Sequence, residues 1–133
     1  MTQKDKELLL KDLCARLPYK VLCEGITYEM DDDVGLYIPV KVKNILTEIH
    51  NYKLETAYVE LGFISSCELD TVKPYLRPMS SMTEEQNKEW LYTLSSDYHI
   101  TFDTVDWCNK NHFDYRGLIE KGLAINATNL NIY

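Results

Sequence analysis

The sequence predicts an α+β fold: an N-terminal helix, a small antiparallel sheet or SH3-like half-barrel, and a helical C-terminal third. Three observations predict it. Apolar residues fall at helical spacing over residues 4–17, alternate with a period of two over residues 19–70, and return to helical spacing after residue 83. The change of period coincides with Lys73-Pro74-Tyr75-Leu76-Arg77-Pro78-Met79, whose two prolines stand four residues apart. Proline fixes φ and lacks an N–H, so this stretch reads as an extended, ordered connection rather than a helix interior or a central strand. The 133 residues suffice for one domain with its own core.

Residues 1–18 carry the first helix, with Leu9, Leu10, Leu13, Cys14 and Leu17 inward and Lys6, Lys11, Asp12 and Arg16 left for solvent. Pro18 stops it. In the strand region, residues 19–70, Tyr19, Val21 and Cys23 share one face, and Ile26, Tyr28 and Met30 share another after Gly25. Asp31 to Gly35 is turn chemistry. Leu36, Ile38, Val40 and Val42 alternate next, with Pro39 marking an edge or a bulge. Residues 45–49, then Ala57, Val59 and Leu61, extend the pattern on either side of the polar stretch His50–Glu55. Four to five short strands are too few for a sandwich, hence the small curled sheet.

The proline segment, residues 71–82, should turn Tyr75, Leu76 and Met79 inward and end in a helix cap at Ser81 or Thr83. In the helical part, residues 83–127, one helix takes Trp90, Leu91 and Leu94 inward. A second runs from about Thr104 to Lys110, capped by Asp103. A helical turn between Gly117 and Gly122 follows, and residues 128–133 form the tail.

Composition excludes several functions. The net charge is −7, and neither half of the chain is basic, which argues against a phosphate-tracking nucleic-acid surface. No apolar run suggests a signal peptide or a membrane span, so the expectation is a cytoplasmic protein with no membrane partner. Four cysteines without a C-x-x-C pair read as buried apolar residues, and no metal or other cofactor is expected.

Signals for catalysis are sparse. There is no glycine-rich phosphate loop, and no G-x-S-x-G elbow surrounds Ser80 or Ser81. His112-x-Asp114 has the spacing of half a facial metal triad, but pairing of Asp114 with Arg116 explains it more simply. Ten tyrosines against three phenylalanines suit a surface that is apolar on one side and wet on the other.

Residues 8–19 (Leu8-Leu9-Leu10-Lys11-Asp12-Leu13-Cys14-Ala15-Arg16-Leu17-Pro18-Tyr19), residues 72–83 of the proline stretch and residues 112–124 (His112-Phe113-Asp114-Tyr115-Arg116-Gly117-Leu118-Ile119-Glu120-Lys121-Gly122-Leu123-Ala124) resemble segments of small uncharacterised proteins of gut Bacteroidetes prophages and mobile elements. The resemblance implies a bacterial or phage setting and no particular activity. The expected function is therefore a non-enzymatic module that binds a protein partner. The alternative is a binder or sponge for an anionic small ligand such as a signalling nucleotide, and a small enzyme ranks below both. The expected site is a surface shared by Lys73, Tyr75, Arg77, Asp114, Tyr115 and Arg116, whose cations and aromatics suit either a protein anchor or an anion. The competing role for these residues is an internal latch that holds the tail.

Overall fold

The computed structural model describes residues 1–51 and 53–133; Tyr52, within the polar stretch His50–Glu55, lies outside the described residues. It is a mixed α+β structure with an N-terminal helix, seven strands among the described residues, and helices in the C-terminal part. The chain divides into two compact units, Met1–Pro74 and Tyr75–Tyr133.

In the first unit, α1 (Gln3–Arg16) starts from a capping box: the Asp5 amide donates to the Thr2 hydroxyl, and the Thr2 amide donates to the Asp5 carboxylate. Leu9 and Leu13 are fully buried as expected, but so are Asp12 and Arg16, while Cys14 is exposed. The two charges were expected in solvent. They are tolerated inside because they stand one turn apart and neutralise each other, with Arg16 Nε 2.9 Å from Asp12 Oδ2.

Strands β1 (Leu22–Asp31) and β2 (Leu36–His50) form a long antiparallel hairpin, in register from Leu22↔Ile45 to Asp31↔Leu36. The Asp31–Gly35 turn closes as its composition predicts: the Gly35 amide donates to the Asp31 carbonyl, the Asp33 amide donates to the Asp31 carboxylate, and Gly35 takes a φ of +71°. Residues 36–42 and 45–49, expected as separate strands, are one 15-residue strand. Pro39 is accommodated because this part of β2 pairs with β1 alone.

Strands β3 (Tyr58–Leu61) and β4 (Ser65–Glu68) complete an antiparallel order β4-β3-β2-β1. This sheet curls: a Cβ built on Gly25 of β1 would stand 2.9 Å from Cys67 Sγ of β4, so only glycine permits the approach. Val21, Cys23, Val59, Leu61, Cys67, Leu69 and Val72 form the core with Leu9 and Leu13.

The proline segment is itself a strand, β5 (Lys73–Pro78). It begins in the first unit, where Lys73 and Pro74 pair antiparallel with Glu24 and Cys23. In the second unit it pairs parallel with β6 (Phe113–Asp114) and β7 (Ile125–Asn126). The purely antiparallel sheet expected from the sequence is thus corrected to a larger, mixed one. Prolines fit here because the ladders use other groups: the Arg77 amide donates to the His112 carbonyl, and the Leu76 carbonyl accepts from the Ala127 amide.

Helices α2 (Glu84–Thr93) and α3 (Phe102–Lys110) also belong to the second unit. Thr83, not Ser81, caps α2 through a box with Gln86; Ser81 instead donates to the Pro78 carbonyl. Thr101 caps α3 in place of the expected Asp103, which sits in the first turn. Leu91 was expected inward but is exposed, and no α2 residue is fully buried. The helical turn expected between Gly117 and Gly122 is a hydrogen-bonded turn, the Gly122 amide donating to the Ile119 carbonyl between two left-handed glycines, and the short strands β6 and β7 flank it where helix was expected.

Candidate functional site

Five of the six expected site residues lie in the second unit; Lys73 is exposed and belongs to the first. Arg77 and Asp114 come from neighbouring strands, with Arg77 opposite Phe113 and Pro78 opposite Asp114. The buried Asp114 carboxylate accepts from the amides of Leu118 and Ile119, both at 2.9 Å. Its work is therefore to close the loop after β6. Tyr115 donates its hydroxyl proton to Asn109 Oδ1, and the Arg116 guanidinium lies over the Tyr115 ring at 4.7 Å.

Tyr75 is buried, and its carbonyl accepts from the Tyr133 hydroxyl at 2.7 Å. His112 stacks on Tyr133 at 3.8 Å between ring centres. Arg77 lies over both Phe113 and Tyr133. These side chains converge around the C-terminal residues. Arg77 also faces a polar pocket of about 270 Å³, shared with Thr83, Gln86, Asn129 and Asn131.

The first unit carries features the sequence did not single out. A cleft of about 470 Å³ has Ile26, Ala57 and Leu69 in its wall, Tyr28 and Tyr58 beside them, and Lys6, Glu68 and Asp70 around it. Two tyrosines at alternating strand positions were the available signal. The far half of the β1–β2 hairpin is a bare arm. Tyr28, Met30, Val34, Leu36 and Tyr37 are all exposed, Leu36 to 63 % and Tyr37 to 68 %. A second exposed apolar point is the β3–β4 turn, where Phe63, at φ +71°, and Ile64 face solvent.

Burial, and secondarily the nearby Asp12 carboxylate, pushes the Cys23 thiol far up, and burial raises Cys14 and Cys67 as well. Such thiols stay protonated at neutral pH and are poor nucleophiles. Among the described residues no helix is long and apolar enough to cross a membrane. No family model matches the chain, and neither a curated protein nor a solved structure is found to be similar to it.

Proposed function

We propose that this chain is a non-enzymatic interaction module of a phage or mobile element, working in a bacterial cytoplasm, and that it grips a protein partner with the β1–β2 arm. The observation that carries this reading is the arm's exposed apolar surface: six large side chains, Tyr28, Met30, Val34, Leu36, Tyr37 and Ile38, on a two-stranded ribbon with no further strand beside it among the described residues. Apolar patches of this kind mark interaction sites, and tyrosines are favoured anchors in them. The curl of the first unit supports reading it as an SH3-like half-barrel that presents the arm.

The partner's chemistry follows from charge. Asp31, Asp32 and Asp33 stand at the arm's tip beside Leu36 and Tyr37, within a chain of net charge −7. A second copy would bring like charges together. A different protein, with an apolar groove edged by lysine or arginine, relieves them.

The test compares capture by wild type with capture by Leu36→Ser/Tyr37→Ser from a lysate of the bacterial host. The expected result is a host protein retained by wild type, more weakly at high salt, and lost by the variant at an unchanged melting temperature. Identical capture by both would overturn the arm as the contact.

The Arg77 pocket supports a second reading, a small anion bound by the guanidinium beside the N-terminus of α2. Its size suits a phosphate or carboxylate better than a whole nucleotide. A thermal shift with phosphate that Arg77→Gln abolishes would favour it.

A further inference from the structure

We propose that Glu48, His50 and Glu60 form a binding site for a divalent transition metal of the zinc class on the outer face of the first unit's sheet. The three side chains offer donor atoms that all lie within 4.8 Å of one another. His50 Nε2 is 3.6 Å from Glu48 Oε1 and 3.7 Å from Glu60 Oε1. Two ligands bound to one tetrahedral zinc at about 2.0–2.1 Å stand roughly 3.3–3.4 Å apart, so each carboxylate is within a few tenths of an ångström of its ligand distance from His50, and rotation of the exposed Glu48 side chain brings the two carboxylates together.

The backbone builds this juxtaposition through one irregularity. Leu46 pairs with Leu61 and points into the core, and simple alternation would send Glu48 and His50 inward after it. Instead the register shifts between Leu46 and Glu48, so that Glu48 opposes Glu60 and His50 opposes Tyr58. The bulge thereby turns Glu48 and His50 outward, the kind of re-aiming that bulges perform at functional positions. Thr47 fastens it, donating its hydroxyl proton to the Glu60 carbonyl and accepting from the Phe63 amide.

Two further observations favour a cation. Glu48 and Glu60 are directly opposed carboxylates, an unfavourable cross-strand pair unless a positive charge lies between them. The imidazole between them is already oriented, stacked on Tyr58 with centroids 4.5 Å apart and planes 15° apart. One imidazole and two carboxylates satisfy zinc, manganese or ferrous iron, whereas magnesium and calcium avoid nitrogen. Glu48 is 58 % exposed, so solvent can fill the remaining coordination positions. The site is independent of the arm and of its partner.

The test uses the full chain stripped with a chelator and titrated with ZnCl₂ by calorimetry, with histidine ring signals followed by NMR. One zinc per chain should bind, the His50 signals should move, and the melting temperature should rise with zinc. Glu48→Gln/Glu60→Gln should weaken binding at least 100-fold while leaving the metal-free melting temperature equal or higher, and His99→Gln should bind as wild type does. Absence of stoichiometric zinc binding, unchanged binding by the double variant, or a response to magnesium but not zinc would each overturn the site.

Discussion

At the scale of single residues, the buried Asp12–Arg16 pair shows where hydropathy misleads. Spacing identified Leu9 and Leu13 correctly, because their apolar character alone determines their side of the helix. It placed Asp12 and Arg16 in water, because a residue-by-residue reading does not register that two opposite charges one turn apart can enter a core together. Removing one partner strands the other. Arg16→Met should therefore cost about 3–5 kcal/mol in urea unfolding, whereas Asp12→Leu with Arg16→Met should return close to wild type or exceed it. The cysteines make a second residue-scale test. Cys14 is exposed and Cys23, Cys67 and Cys108 are buried, so excess thiol reagent at alkaline pH should label one cysteine in the native protein and all four after unfolding.

At the scale of elements, legibility followed the number of residues that repeat a pattern. The helix α1 and the alternating faces of the hairpin were readable because many positions agree, although the unbroken length of β2 was not. The two-residue strands β6 and β7 were not, since two residues have no period. The proline segment was read as extended but not as a strand, because a ladder that bypasses the proline nitrogens leaves no trace in sequence. Caps were ambiguous for a related reason: two spellings overlapped before α2, and only geometry chose between them. Thr83→Ala should cost about 1 kcal/mol, whereas Ser81→Ala should stay within about 0.5 kcal/mol, as measured by chemical denaturation. Equal effects would mean that the capping box is not the stabilising contact.

Of the six expected site residues, the sequence conveyed chemical types but not their employment. Asp114 is occupied by main-chain amides and Tyr75 is buried, while Arg77 stays beside a pocket. The Glu48–His50–Glu60 cluster could not be read at all, because the bulge that assembles it contradicts the alternation that surrounds it.

At the scale of the whole molecule, apolar surface and stability separate in space. The first unit's core residues lie near the base of the β1–β2 hairpin, whereas residues 29–38 bury almost nothing. Replacing residues 28–39 with Asn-Gly, so that Thr27 again meets Val40 across a tight turn, should change unfolding free energy by about 1 kcal/mol or less while abolishing the proposed capture of a partner. A collapse of the melting temperature would show that the arm supports the core.

That separation bears on how such a protein changes over generations. Substitutions at Met30, Val34, Leu36 or Tyr37 meet little selection from folding, so they can accumulate as fast as a partner's surface drifts. Substitutions at Leu9, Val59 or Leu76 meet it immediately. A library randomised over the arm and sorted for folded protein alone should retain nearly every residue type at the tip positions. Sorted instead for binding, it should narrow to a few, and the contrast between the two outcomes would trace the contact surface position by position. On the proposed reading the ribbon is the adaptable part of the chain, able to turn over its specificity while the scaffold beneath it stays constant.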